Sequence, residues 1–144
     1  MSNFTFWHHH GGVSLPDLDE GIAWYCEKLG FTLERRFPIP TIPAEIAIIV
    51  NGDARMELFH LPDATRMDDA RRVPNEDLRT HGNKHVAFAI HDVISFGDEL
   101  KARGVDVVWV HKFDHGANIF IRDCAGNLIE FLEAPEPTGA LSSL

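Results

Sequence analysis

The sequence predicts an α+β fold made of two βαβββ modules, related by pseudo-twofold symmetry, that form a curved mixed sheet around a metal site with the helices outside. Three observations predict it. Strand-like and helix-like segments recur in the same order in both halves. A helix start signal lies seven residues after a histidine in each half, Asp17 after His10 and Asp92 after His85. A glutamate then follows 47 residues after the first histidine and 45 after the second, Glu57 and Glu130.

The elements follow in order. Residues 13 to 30 read as strand, turn and helix. Asp17-Leu18-Asp19-Glu20 has the capping-box pattern, Leu18, Ile22, Tyr25, Cys26 and Leu29 recur at helical spacing, and Gly30 ends the helix. A strand from 31 to 37 and a proline-rich loop from 38 to 43 come next. Segments 44–50 and 55–61 pair through an Asn51-Gly52-Asp53 turn. In the second half, 85–90 is a strand, Asp92 caps a helix with Val93, Phe96 and Leu100 on one face, and Gly104 ends it. Strands at 105–110, 117–122 and 128–133 follow, the last two joined through residues 123–127. Gly126 is expected to take the positive φ of that turn, with Asp123 and Asn127 stabilising it. The expected organisation is one domain over 1–144, with modules at about 5–61 and 83–134, a linker at 62–82 carrying one short helix, and a tail at 135–144.

Composition excludes several functions. Thirteen basic against 22 acidic side chains give a net charge of −9, the wrong sign for binding a phosphate backbone, so nucleic acid is not expected as a partner. The sequence has neither a membrane-length apolar run nor a signal-peptide pattern at its start, and a cytoplasmic location is expected. Cys26 and Cys124 form no disulfide framework and read as free thiols. Nine histidines are the compositional oddity, and histidine is the commonest metal ligand.

Strand alternation puts His10 on a face with His8, Gly12 and Ser14, Glu57 with Phe59 and Leu61, His85 with Ala87 and Ala89, and Glu130 with Leu128 and Leu132. The opposite faces carry Val13, Leu15, Met56, Leu58, Ile129 and Phe131 and belong under the helices. A carboxylate among leucines needs a counter-charge, and two neutral imidazoles with two carboxylates around one divalent cation meet that need. His10, Glu57, His85 and Glu130 are therefore the expected metal ligands, with Zn, Ni, Co, Mn or Fe as the ion. His8, Phe59, Leu61, His115, Leu128 and Leu132 are expected to line a substrate pocket. His111 and His115 are placed in a loop before the penultimate strand. His9 reads as structural, His60 as a packed or surface residue, and His81 and His91 as solvated.

The stretches HHHGGVSLPDLDEGIAWYCEKLGF, ARMELFHLP, KHVAFAIHD and FIRDCAGNLIEFLE resemble the vicinal oxygen chelate superfamily, which includes glyoxalase I, methylmalonyl-CoA epimerase, extradiol dioxygenases and antibiotic-resistance proteins. The resemblance covers nearly the whole chain, and its His/Glu/His/Glu pattern is similar to that of glyoxalase I. It implies a metal-dependent lyase, epimerase or isomerase that works by proton transfer through an enolate or enediolate, with Glu130 the first choice of base and Glu57 the second. Bacterial glyoxalase I carries an Arg and an Asn for glutathione where this chain has Ser14 and Leu61, so glutathione is not expected as co-substrate. The alternative is an Fe(II) extradiol-type dioxygenase on His10, His85 and Glu130, against which Glu57 counts by taking a position that O₂ needs. A third reading is a non-catalytic small-molecule-binding resistance protein, against which the full ligand set counts. A homodimer acting on a small molecule, away from membranes, completes the expectation.

Overall fold

Strand β1 (Gly11–Ser14) runs parallel to β4 (Ala54–His60), which pairs antiparallel with β3 (Glu45–Asn51), and β3 pairs with β2 (Thr32–Pro38), in the order β1-β4-β3-β2. The computed structural model describes residues 3–136 of the chain. It divides into two compact units, Met1–Ala64 and Thr65–Leu144, and the second repeats the first. There β5 (Val86–Ile90) is parallel to β8 (Leu128–Glu133), followed by β7 (Gly116–Arg122) and β6 (Asp106–Phe113), in the order β5-β8-β7-β6. Both units have the expected βαβββ plan. They share one feature that the sequence pattern did not announce. The second strand of each carries a register shift, between Leu33 and Arg35 and between Val107 and Trp109, each skipping a residue four places after the helix-ending glycine.

Helix α1 (Leu18–Leu29) begins as its sequence dictates. The Asp17 side chain accepts the Glu20 N–H at 2.9 Å, and Gly30 closes the helix at φ 72°. The corresponding helix of the second unit spans Val93–Ala102. Asp92 caps it by accepting the Ser95 N–H at 3.0 Å and the Ser95 hydroxyl at 2.7 Å. The Ser95 backbone bond, then its hydroxyl, hold the Asp92 carboxyl below its usual range. Asp17→Ala removes one cap and is expected to cost about 1 kcal/mol of stability, read by thermal denaturation.

Each helix covers one sheet face. Tyr25, Leu15, Ile49, Met56 and Leu58 are almost fully buried in the first unit, and Val93, Leu100, Ile119, Ile121 and Ile129 in the second. These are the strand faces opposite Glu57 and Glu130, so burial confirms the alternation. Tyr25 belongs to this core, stacking edge-on against Phe31 at 5.8 Å. Cys26 and Cys124 are not joined in a disulfide. Among the described residues no helix is long and apolar enough to cross a membrane.

Residues 65–84, most of them in the expected linker, fall within the second unit and hold a 3-10 turn (Asp69–Arg72) and a one-turn helix α2 (Pro74–Asp77). Buried Asp77 accepts from Arg71 at 3.1 Å and Lys84 at 3.3 Å, and the Arg122 guanidinium donates to the Arg72 carbonyl at 2.7 Å. The Asp77 bonds hold the segment together internally, and the Arg122 bond ties it to β7. The turn at 123–127 closes on Asp123, which accepts the Ala125 and Asn127 N–H groups at 2.9 and 2.8 Å. Gly126 sits there at φ 90°, and a Cβ would also run into the Arg72 guanidinium.

One expectation changes, and it concerns β6. It continues through His111, Lys112 and Phe113, and only Asp114 and His115 remain as a tight turn before Gly116. The loop expected there is a hairpin, because ladder pairing with β7 satisfies the backbone groups that a loop would leave to water. Residues 137–144, most of the expected tail, lie outside the described residues.

Candidate metal centre

Each unit brings its own histidine and glutamate together. In the first, His10 stands one residue before β1 and its Nε2 lies 2.8 Å from Glu57 Oε2 on β4. In the second, His85 stands one residue before β5 and its Nε2 lies 2.9 Å from Glu130 Oε2 on β8. The parallel pairing creates both contacts. Gly12 is the partner of Glu57 and Ala87 the partner of Glu130, so a histidine two residues earlier reaches the neighbouring carboxylate. Those partner positions carry no side chain beyond a methyl. The side chains of Glu57 and Glu130 are 17% and 16% exposed, those of His10 and His85 37% and 26%, accessible to a small ion.

This separation fits two ligands of one ion. Metal–nitrogen and metal–oxygen bonds of about 2.0–2.2 Å at a right angle put the ligating atoms about 3 Å apart. It also fits the attraction of an imidazole N–H for a carboxylate. Among the described residues no group of three or more His, Cys, Asp and Glu side chains is gathered as a cation would hold them. The structural fact is therefore a pair in each unit.

Neighbours that the sequence did not single out orient these pairs. His9 Nδ1 lies 2.7 Å from His10 Nδ1, one of the two donating, which turns His10 Nε2 toward Glu57. The His85 ring stands edge-on to Phe120, centroids 4.8 Å apart, and Phe120 in turn meets Trp109 at 5.2 Å. Asn118 Nδ2 donates to Glu130 Oε1 at 2.9 Å. The sequence signal for Asn118 is a polar amide within the apolar run of β7.

The remaining candidates divide. The Phe59 ring lies beside Gly12, where a Cβ would come within 3.0 Å of it, so Phe59 borders the Glu57 face. Leu128 is buried and Leu132 is 37% exposed, on the Glu130 face of β8. Leu61 follows the end of β4 and is exposed. His8 is exposed in a segment that precedes β1 and has no strand pairing, so alternation does not assign it a face. His115 is exposed in the β6–β7 turn, five residues along β7 from Phe120, the partner of Glu130. At about 3.3 Å per residue this is roughly 16 Å away, so within its unit His115 does not join the pair. His60 is partly buried, its Nδ1 donating to the Leu15 carbonyl at 3.2 Å.

Comparison with known proteins identifies the family. The chain is 26% identical over 131 residues to a probable lactoylglutathione lyase of Synechocystis sp., covering 86% of this chain and 92% of that protein. It is 24% identical over 140 residues to the mitochondrial methylmalonyl-CoA epimerase of Mus musculus, covering 88% and 72%. A glyoxylase/bleomycin resistance protein/dioxygenase domain from Frankia sp. superposes with a TM-score of 0.73 at 20% identity, covering 92% of this chain and 95% of that one. The family model of the Glyoxalase/Bleomycin resistance protein/Dioxygenase superfamily matches residues 7–131, a span that takes in both βαβββ units and all four ligand candidates. With the repeated fold and this match, the chain belongs to the glyoxalase/bleomycin resistance protein/dioxygenase superfamily.

Proposed function

We propose that this protein is a metal-dependent lyase, epimerase or isomerase that moves a proton on a small oxygen-chelating substrate without glutathione. The observation that carries the reading is the His–Glu pair repeated at the same place in each unit, 2.8 and 2.9 Å across. His10, Glu57, His85 and Glu130 would hold one divalent cation, whose charge two carboxylates balance while two neutral imidazoles complete a mixed N/O set. When bound, the cation supplies a Lewis acid that holds two adjacent substrate oxygens and stabilises the charge left when a neighbouring C–H is lost.

The chain's residues supply the rest. A glutamate oxygen takes the proton and returns it, either to the opposite face of the same carbon or to the adjacent carbon. The first outcome epimerises, the second isomerises. Phe59, Leu128 and Leu132 lend apolar surface beside the carboxylates, which keeps bulk water from the transferred proton. Relatives named as a lyase and an epimerase support a reaction of this class. Ser14 and Leu61, in place of a cation and an amide for glutathione, support a co-substrate-free reaction.

Small 2-hydroxy-carbonyl compounds incubated with the protein in D₂O are expected to exchange the carbon-bound proton. Exchange should require metal, proceed under anaerobic conditions and need no glutathione, with NMR as the readout. Activity that vanishes without O₂ and returns with it would reject proton transfer and favour iron-dependent oxygenation.

A further inference from the structure

We propose that Asn118 is a positioning residue that divides the work of the two carboxylates, anchoring Glu130 as a ligand and leaving Glu57 free to act as the base. The inference rests on the metal reading above and assigns roles within it. Both oxygens of Glu130 are held. Oε1 accepts from Asn118 Nδ2 at 2.9 Å, and Oε2 faces His85 Nε2 at 2.9 Å. An ionised carboxylate only accepts hydrogen bonds, so the amide nitrogen must be the group that faces it. The Asn118 amide oxygen is then buried with no partner among the described residues. An aliphatic side chain would carry no such cost.

The first unit shows what the absence of this amide does. Phe120 is the register partner of Glu130, and Asn118 lies two residues before it on the same face of β7. Ile48 is the partner of Glu57, and the residue two before it is Ile46, which has nothing to donate. Among the described residues, His10 is the only polar partner of the Glu57 carboxylate. A carboxylate tied through both oxygens cannot turn toward a substrate C–H without breaking both contacts. Glu57 has one contact to release. The order of preference drawn from the sequence, Glu130 before Glu57, is reversed on this ground.

The two glutamates must then respond differently to glutamine. In Glu57→Gln the amide can rotate to present its oxygen to the cation. In Glu130→Gln either the amide nitrogen faces the cation, or Asn118 flips and buries an unpaired NH₂ where its oxygen now lies. Chelator-stripped protein titrated with Co²⁺ tests this. Asn118→Leu is expected to bind Co²⁺ about 10- to 100-fold more weakly, the range for a residue that orients a ligand, with a changed visible spectrum and an unchanged melting temperature in EDTA. Asn118→Ala, which adds no bulk, should show the same loss. Glu57→Gln should bind within a few-fold of the wild type, and Glu130→Gln at least about tenfold more weakly. Unaltered Co²⁺ affinity and spectrum in both Asn118 variants, or equal affinities in the two glutamine variants, would overturn the inference and leave the metal reading standing. Failure of the wild type to bind Co²⁺ would overturn both.

Discussion

Wild-type protein purified without chelator or affinity-column nickel is expected to retain bound metal, and His10→Ala, His85→Ala and Glu130→Ala are each expected to lose it. Each removes one of the four proposed ligands, and the loss in affinity should exceed the roughly 10- to 100-fold that changes beside a ligand produce. The same experiment has a stability readout. A metal present at about 100 times its dissociation constant stabilises the folded state by about 2.7 kcal/mol. For a chain of this size that raises the melting temperature by roughly 5–10 °C. The three variants should show almost none of this rise. His60→Ala is the control. It loses its bond to the Leu15 carbonyl, worth about 1 kcal/mol, and should keep both the metal and the metal-dependent stabilisation. Full metal occupancy in Glu130→Ala, measured by elemental analysis, would reject the ligand assignment.

The second large effect concerns rate. Glu57→Gln should retain the metal and slow solvent exchange of the carbon-bound proton by roughly two to four orders of magnitude, the usual cost of removing a general base. A glutamine can offer an oxygen to a cation but cannot accept the proton at neutral pH, so binding and chemistry separate in this one change. In Glu130→Gln the rate should fall together with metal affinity and recover in part at high metal concentration. Exchange measured in D₂O at saturating metal distinguishes the two. A Glu57→Gln variant that exchanges at the wild-type rate would show that Glu57 is not the base.

Much of the fold was legible because local physics announces it. Asp17 and Asp92 cap helices through side-chain bonds that depend on residues three places away. Gly30 and Gly104 end those helices at positive φ, and Gly52 opens the two-residue turn between β3 and β4. The four candidate ligands stand out in the sequence for a different reason. A repeat of 47 and 45 residues, together with the two-residue period of a strand, fixes which face a side chain occupies before any contact is known.

What the sequence could not determine depended on which strands become neighbours. The length of β6 was set by its ladder with β7, so His111 joined a strand and His115 was carried to a hairpin tip. The segment 65–84 is polar and weakly periodic; its Asp77 bonds are internal, and the Arg122 bond to the Arg72 carbonyl, fifty residues away in sequence, joins it to β7. Asn118 and Glu130 are twelve residues apart, and nothing in either residue type announces that an antiparallel register will bring an amide to a carboxylate. The sequence by itself determined the elements, their order and the four candidate ligands, because caps, turns and strand period act over a few residues. Tertiary structure alone decided how each carboxylate is held, since that depends on the neighbouring strand: Asn118 beside Glu130, and Ile46 at the corresponding place near Glu57.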